Sequence, residues 1–283
     1  MLPDKPEDLA TVQIGDIALT YRKRDSGGTH YLGRGHTEEY HSPLYPALKA
    51  AIDPAVCVDV GANYGYTGLL MRRAFPECHL TLVEPIPWLA DFVAHNFAQN
   101  KVRYQWFHSA IVSASEGRSA FGVNQSGSQD SRVVGQKGTS KIETRMVTLS
   151  KLVQHVKPDQ GVYIKIDTQG WEEHVFAGGA AFLDSHNCWF IKTEFAPMWM
   201  ESQGSDPVGL LRDLLDRYSV YENIGRHAWN SRHLGDVLGR PLVPGCEEAF
   251  VHYVRNLALN DRGWVDLYVV PPETRRTYAI HAG

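Results

Sequence analysis

Acidic residues and glycines are grouped around residue 60 in a pattern suited to binding a small molecule. Asp59 lies at the end of an apolar run, Gly61 and Gly65 follow it, and Glu84 ends the next apolar run. A glycine-containing turn between a buried strand and a helix offers free backbone N–H groups to a ligand. A carboxylate about 20 residues later is placed to accept the ribose hydroxyls of an adenosine. These residues predict a nucleoside site at one edge of a sheet.

The spacing of the glycines excludes two common phosphate-binding sites. A dinucleotide fingerprint, G-x-G-x-x-G, counted from Gly61 would need glycine where the chain has Asn63 and Tyr66, and a P-loop would need a lysine that residues 61–68 lack. Asn63 can adopt the left-handed backbone conformation that a middle glycine would supply. An adenosine with a cationic, phosphate-free tail fits the two acids, and S-adenosylmethionine (AdoMet) is such a ligand. In the alternative interpretation, the glycines only make the turn and Glu84 only caps the next helix.

Apolar runs that alternate with helical patterns must position these residues. Such alternation predicts βαβ units and a parallel sheet with helices on both faces. A short hairpin is predicted at 12–22, and the Gly- and Ser-rich stretch 124–141 is predicted to be a mobile loop at the tip of a second hairpin. The predicted strands of the sheet are 56–60, 79–85, 103–108, 161–167, 189–195, 218–224 and 265–270, and the predicted helices are 42–52, 66–75, 87–100, 149–156, 171–178 and 207–217.

Composition excludes several other functions. The formal net charge of −4 provides no basic field for nucleic acid or anionic lipid. The four cysteines are widely spaced without a CxxC pair, which argues against a zinc site or a disulfide scaffold. No secretory signal and no run of about 18 apolar residues is present, so we expect no membrane association and a cytoplasmic protein. A small-molecule substrate is the expected partner, and the oligomeric state is left open, including a homo-oligomer.

Several motifs together resemble the FkbM family of AdoMet-dependent methyltransferases. They are VDVGANYGYTG, LVEPIPWLADFVAHN, TLSKLV, IKIDTQGWEEHVFAGG and IKTEF, within about residues 52–200. The resemblance implies a Rossmann-like class I methyltransferase fold, with a seven-stranded, mostly parallel sheet whose last strand is antiparallel. Residues 1–52 would form a leader or lid over the cleft. Residues 53–283 would form the methyltransferase domain, with insertions at about 118–146 and 225–262. The implied activity is most often methylation of hydroxyl groups on sugars, polyketides and other natural products.

Binding roles follow from the resemblance by position. Glu84 would hold the ribose, Ser109 and Ala110 would flank the adenine, and Asp167 would bind the amino group of AdoMet or act directly in catalysis. The methionine end of AdoMet would lie among the residues of the turn, namely Asp59, Gly61, Ala62, Asn63, Tyr64, Gly65 and Thr67.

Asp167 and Glu194 end the fourth and fifth predicted strands, so their carboxylates should face the crevice where an acceptor is oriented. A divalent cation between them is an alternative that we do not favour, because two carboxylates alone provide few ligands for a metal ion. Glu172 lies in the first turn of a predicted helix, where a negative charge interacts favourably with the helix dipole whether or not the residue is catalytic. His36 and His41 are candidate bases if the leader closes over the cleft. The family commonly has Glu where this chain has Gln169, which removes one charge.

Other functions remain as alternatives from the sequence. These are methylation of nitrogen or of a carboxylate on a small molecule or peptide side chain, and a non-catalytic AdoMet-binding module whose cleft is plugged by its own leader. A dehydrogenase is the weakest alternative because the glycine fingerprint is broken. The insertion at 225–262 contains Arg226, Trp229, Arg232 and Arg240, which would form either a cap for a polar or acidic acceptor or a solvated loop.

Overall fold

The computed structural model describes residues 2, 4–30, 35–133, 140–223 and 233–280. The strands are β1 (Leu9–Ile14), β2 (Ile17–Arg22), β3 (Val56–Val60), β4 (His79–Val83), β5 (Trp106–His108), β6 (Ala110–Val112), β7 (Gly117–Val123), β8 (Ser140–Val147), β9 (Val162–Ile166), β10 (Trp189–Phe195), β11 (Ser219–Glu222), β12 (Arg240–Pro241) and β13 (Val265–Val270). The helices are α1 (Ser26–His30), α2 (Gly35–Tyr40), α3 (Leu44–Ala51), α4 (Tyr66–Ala74), α5 (Pro87–Gln99), α6 (Leu149–Leu152), α7 (Glu172–Ser185), α8 (Pro197–Ser202), α9 (Pro207–Arg217), α10 (Leu234–Val237) and α11 (Glu247–Arg255).

The central sheet has the strand order β12-β11-β13-β10-β9-β3-β4-β5. Strands β5, β4, β3, β9 and β10 are parallel, and β13 runs antiparallel between β10 and β11. The prediction of a mostly parallel sheet with an antiparallel last strand is confirmed, and the two-residue β12 adds an eighth strand at the edge. The chain order reverses between β3 and β9, and a crevice opens at the carboxyl ends of strands at such a point.

Burial explains why the middle strands form where the apolar runs predicted them. All five residues of β3 are buried, as are all but the lysine in β9, because helices cover both faces of a parallel sheet. Lys165 of β9 and Lys192 of β10 interrupt these apolar strands. Each charged side chain needs a compensating partner at such a position.

The predicted N-terminal hairpin is present as β1 and β2. Backbone N–H groups on the free edge of β2 are paired with two asparagine side chains, one in α5 and one directly after it. Ala18 N donates to Asn100 Oδ1 and Thr20 N donates to Asn96 Oδ1, each at 2.8 Å. These bonds occupy backbone groups that an exposed edge would leave open. None of the described helices combines the length and apolar character that spanning a bilayer requires, and the four cysteines are free, as predicted.

Two predicted helix ends were wrong. The helix predicted at 149–156 ends at Leu152. The helix predicted at 171–178 continues to Ser185, with Gly178 and Gly179 in its interior. A Cβ on Gly178 would lie 2.1 Å from the backbone oxygen of Ser113, which follows β6. The glycine is there because α7 approaches the backbone closely, and it does not end the helix.

A second sheet, of order β6-β8-β7, contains the predicted hairpin around 120–146. The part of the predicted loop at 134–139 lies outside the described residues. Residues 126–132 are bound to the rest of the protein through Asp25, which is fully buried. The Asp25 carboxylate accepts hydrogen bonds from Ser128 N (2.6 Å), Ser128 Oγ (2.6 Å), Tyr64 Oη (2.7 Å) and Gly27 N (3.2 Å). One carboxylate therefore joins the N-terminal segment, the glycine turn and the loop after β7.

Replacing Asp25 by Asn should destabilise the protein by about 1.5–3 kcal/mol. The amide N–H₂ of the asparagine would face the same groups that now donate hydrogen bonds to the carboxylate, and two donors cannot pair. The free energy of unfolding from urea denaturation measures this change. Asp91→Asn, at an exposed position of α5, is the matched control and should change stability by less than about 0.5 kcal/mol. Equal stabilities of the Asp25 variant and the control would contradict the assigned role.

Candidate active site

A cavity of about 830 Å³ lies at the carboxyl ends of the central strands. Its wall contains the glycine turn, Glu84, Asp167 and Glu194. Both groups of residues that the sequence singled out therefore border one space. The leader also contributes Glu38 and Glu39 to the wall without filling the cavity beside Asp167 and Glu194.

The glycine turn has the backbone conformation that its residue types predict. Gly61 has φ of 79°, and a Cβ there would lie 2.0 Å from the backbone oxygen of Asp167, so only glycine fits. Asn63 adopts the left-handed conformation with φ of 49°, as expected. Gly65 precedes α4 without a side-chain cap, which leaves amides of the first helical turn for other acceptors.

Glu84 accepts two backbone hydrogen bonds and also borders the cavity. Its Oε2 accepts from Asn63 N and its Oε1 accepts from Ile86 N, both at 2.9 Å. The second bond caps the start of α5, while the carboxyl group also borders the cavity. Burial raises the pKa of Glu84 to about 7. Each oxygen retains a lone pair for a ligand hydroxyl.

Lys165 is a site residue that the sequence analysis missed. Its Nζ donates to the Gly61 oxygen at 3.0 Å and lies 3.5 Å from Asp59 Oδ1 and 3.4 Å from Asp167 Oδ2. Burial alone would lower the pKa of Lys165, but the charges of Asp167 and Asp59 raise it above its ordinary value. Asp59 itself is fully buried beneath the turn and is not part of the cavity wall that the described residues form.

Lys192 is the second residue that was missed, and it binds the leader to the sheet. Its Nζ lies 3.3 Å from Glu39 Oε1 of α2 and 3.2 Å from Asp266 Oδ2 of β13. The motifs IKID and IKTEF each place a lysine directly after an apolar run of a strand. That contrast was the available signal for both lysines, because such a position requires a buried counter-charge.

Asp167 and Glu194 are joined by Gln169. The Gln169 amide donates to Asp167 Oδ1 at 3.0 Å and to Glu194 Oε2 at 3.2 Å. Burial, followed by the charges of Asp167, Glu172 and Asp266, raises the pKa of Glu194 well above its usual range. A carboxylate with a raised pKa is suited to accepting a proton near neutral pH.

Of the other predicted site residues, some border this cavity and others do not. Ala62, Asn63, Thr67 and Ala110 border it, whereas Ser109 is exposed and outside its described wall. Tyr64 and Gly65 are buried behind the turn.

Two of the candidate acids or bases, Glu172 and His41, also lie outside the described wall. Glu172 is buried at the start of α7, where its Oε1 accepts from Thr168 N and Oγ1. His41 is exposed and its ring contacts Tyr40 edge to face. The side chain of His36 lies outside the described residues, as do Arg226, Trp229 and Arg232. Arg240 pairs with Glu222 at 2.6 Å.

The strand order, the antiparallel β13 and the cavity beside the glycine turn define a class I methyltransferase fold. A model of the methyltransferase FkbM domain matches residues 59–221, which is more than half of the chain. The chain belongs to this family, and the protein is an AdoMet-dependent methyltransferase.

Solved methyltransferase structures resemble the chain more distantly. Methyltransferase FkbM from Methylobacillus flagellatus KT is 13% identical with a TM-score of 0.42, over 77% of this chain and 44% of that one. M. jannaschii TYW2, in complex with AdoMet, is 11% identical with a TM-score of 0.41, over 95% and 88%. Geranyl diphosphate C-methyltransferase from Streptomyces coelicolor A3(2) is 13% identical with a TM-score of 0.38, over 83% and 74%. The family match, and not these scores, carries the assignment. No curated protein matched the sequence significantly.

The residues present fit AdoMet. The cavity contains a buried carboxylate at the end of β4 and an uncapped helix start beside a turn that lacks phosphate-binding features. Among the described residues, no cluster of three or more His, Cys, Asp or Glu side chains is arranged to hold a metal ion.

The stability of the protein should fall as pH rises from about 4 to about 7. Burial raises the pKa of Glu172 to about 7, whereas a glutamate in an unfolded chain has a pKa of ~4.3. Between these values the folded state holds a proton that the unfolded state has released, so the stabilising contribution is complete at low pH and is lost as pH rises. Glu84 contributes in the same direction.

Glu172→Gln, which mimics the neutral side chain, should reduce this pH dependence. Urea denaturation at pH 5 and pH 8 measures the difference in unfolding free energy. Glu248→Gln, at an exposed position in the first turn of α11, is the control and should retain the wild-type pH dependence. A Glu172 variant with the wild-type difference would show that this carboxyl is not the titrating group.

Proposed function

We propose that this methyltransferase transfers a methyl group to a hydroxyl oxygen of a small molecule. The observation that supports this most is that the glycine turn, Glu84, Asp167 and Glu194 all border one cavity. Its volume of about 830 Å³ falls within the range of small-molecule sites. The donor and a compact acceptor would share this space.

In this proposal, AdoMet lies along the first half of the cavity wall. Glu84 would accept the ribose hydroxyls, and Ala110 would lie beside the adenine. The methionine carboxylate would face Thr67 and the free amides at the start of α4. Asp167 would face the methionine amino group, while Asp59 acts from below the turn by holding Lys165 against the Gly61 oxygen.

The acceptor would lie beside Glu194. AdoMet supplies an electrophilic methyl group on a positively charged sulfur, so a C–O bond forms as the C–S bond breaks. Glu194 in its ionised form would take the hydroxyl proton, and its raised pKa favours that transfer. Gln169 would hold the Glu194 and Asp167 carboxylates in place through its bonds to both. Alignment of the reacting atoms and exclusion of water supply the rest of the rate enhancement.

The experiment that tests the activity starts with ligand binding and ends with product analysis. AdoMet and S-adenosylhomocysteine should raise Tm, whereas NAD should not. The protein is then incubated with AdoMet and acceptors that carry only hydroxyl, only amine or only carboxyl groups, and methylated products are identified by mass spectrometry. Methylation confined to amines or carboxylates would replace the proposed reaction with one of the two alternatives. AdoMet binding without methylation of any acceptor class would favour a binding module.

Glu84→Ala should weaken AdoMet binding by at least about 1 kcal/mol, or roughly fivefold in Kd, through the loss of charge-assisted hydrogen bonds to the ribose. Calorimetric titration gives the Kd, and urea denaturation separates any loss of stability caused by freeing Asn63 N and Ile86 N. Glu77→Ala, at an exposed position before β4, is the control and should bind AdoMet like the wild type. An unchanged Kd in the Glu84 variant would contradict the ribose contact.

Glu194→Gln should lower turnover by about 10²–10⁴-fold while retaining AdoMet binding, because the amide cannot accept the proton. In the wild type, turnover should rise with pH as the Glu194 carboxyl ionises, and the variant should lack that rise. Asp167→Asn should also lower turnover strongly while changing the free energy of unfolding little. A Glu194 variant with the wild-type pH profile would remove this residue from proton transfer.

A further inference from the structure

Arg132 is a buried charge that the proposed methyl transfer does not use. It follows β7 in the loop before β8, where its backbone bridges to Gly122. Only 1% of the residue is exposed. The stretch of sequence around it is polar and rich in Gly and Ser, which is typical of a solvated loop.

The contacts of Arg132 do not satisfy its charge. Its guanidinium carbon lies 4.0 Å from the centre of the Trp199 ring, and its Nε donates to the Asp130 oxygen at 3.3 Å. The nearest carboxylate atom, Asp130 Oδ1, is 3.9 Å from Nη2, beyond hydrogen-bond distance. Both terminal nitrogens are buried, and neither has a hydrogen-bond partner among the described residues. Leaving such donors unpaired costs free energy that a bound anion would recover.

A second cavity, of about 460 Å³, lies beside this side chain. It is bordered by Asp130, Arg132, Met198, Trp199, Ser202 and Arg262. Three of these residues, Asp130, Trp199 and Arg262, also border the main cavity. The two spaces therefore meet at shared residues, and the smaller one has two guanidinium groups in its wall.

We propose that the second cavity binds an anionic oxygen group, a carboxylate or a phosphate, carried by the acceptor whose hydroxyl is methylated. This inference rests on the proposed function and names the chemical class of its substrate. Arg132 is the inner partner of the anion, and Arg262, which is exposed, is the outer one. Guanidinium groups bind both kinds of anion through paired N–H donors.

The anion reaches Arg132 by taking the place of the Asp130 carboxylate. The Asp130 side chain is 42% exposed and is too far from Nη2 to be held by a hydrogen bond. Its rotation toward solvent uncovers the two terminal nitrogens. The Trp199 ring then remains as the floor under the guanidinium. Asp130 thus competes with the ligand, and removing its charge should strengthen anion binding.

A purely structural role for Arg132 leads to a different expectation. If the contact with Trp199 were its whole role, replacement of Arg132 would reduce stability, and no variant at Asp130 would gain affinity for an anion. A gain of binding cannot arise from misfolding, so the Asp130 variant keeps the test decisive even if the Arg132 variant folds poorly.

The test titrates the intact protein, saturated with S-adenosylhomocysteine, with inorganic phosphate and with acetate, using calorimetry. We expect saturable binding of at least one anion, weakened at least about tenfold by Arg132→Gln and about threefold by Arg262→Gln. Asp130→Asn should tighten binding at least about threefold, and the Asp130→Asn, Arg132→Gln double variant should lose this gain. Arg212→Gln, at an exposed position of α9, is the charge-matched control and should not change the affinity. Absence of binding in both the wild type and the Asp130 variant would overturn the proposal.

Three related compounds identify the source of the anion and join it to the acceptor. Glycerol, glycerate and glycerol 3-phosphate share hydroxyl groups and differ in the charged group. Glycerate alone binding more tightly than glycerol assigns a carboxylate, glycerol 3-phosphate alone assigns a phosphate, and equal binding of all three contradicts the proposal. S-adenosylhomocysteine affinity is measured in the same samples. Loss of that affinity would count against the proposed function, whereas intact affinity without anion discrimination would count only against the second cavity.

Discussion

A single ammonium group, that of Lys165, connects the glycine turn to two neighbouring strands of the central sheet. Lys165 Nζ contacts the Gly61 oxygen and lies 3.5 Å or less from carboxylate oxygens of Asp59 and Asp167. These partners belong to neighbouring strands and to the glycine turn that borders the cavity. Without the ammonium, Asp59 would be a buried charge without a counter-charge, which costs several kcal/mol. The glycine turn and the end of β9 are consequently fixed relative to one another before any ligand binds.

The acidic residues around the cavity differ in whether they have a lysine partner. Lys165 is shared between Asp59 and Asp167, and Lys192 is shared between Glu39 and Asp266. Glu194 has no salt bridge to any described lysine or arginine and is bound by the neutral Gln169. Burial, followed by the charges of Asp167, Glu172 and Asp266, raises its pKa. A glutamate in place of Gln169 would add a third carboxylate to this pair, whereas the amide donates to both carboxylates.

The loop after β7 shows how a polar sequence becomes an ordered part of the cavity. Its Gly- and Ser-rich composition predicted mobility, yet Ser128 is bound to the buried Asp25, and Asn63 Nδ2 of the glycine turn donates to Ser128 Oγ at 3.1 Å. The same loop places Arg132 over Trp199. The glycine turn and the loop that borders the second cavity are thus connected through a few hydrogen bonds centred on the Asp25 carboxylate.

Local sequence determined the features that depend on neighbours along the chain. Helix 207–217 and strands 56–60, 189–195 and 265–270 form at the predicted positions, because apolar periodicity and the residues that bound it are local properties. The glycine turn was readable because Gly61 and Asn63 must adopt positive φ. Tertiary structure alone decided which charges meet. Lys165, Lys192 and Arg132 take partners or neighbours from other elements, and the burial of Asp59 and Glu172 and the exposure of Ser109 follow from strand packing. Contacts between residues distant in sequence leave no periodic signal. Many of the candidate site residues could therefore be predicted from the sequence, whereas the charged residues that contact each other could not.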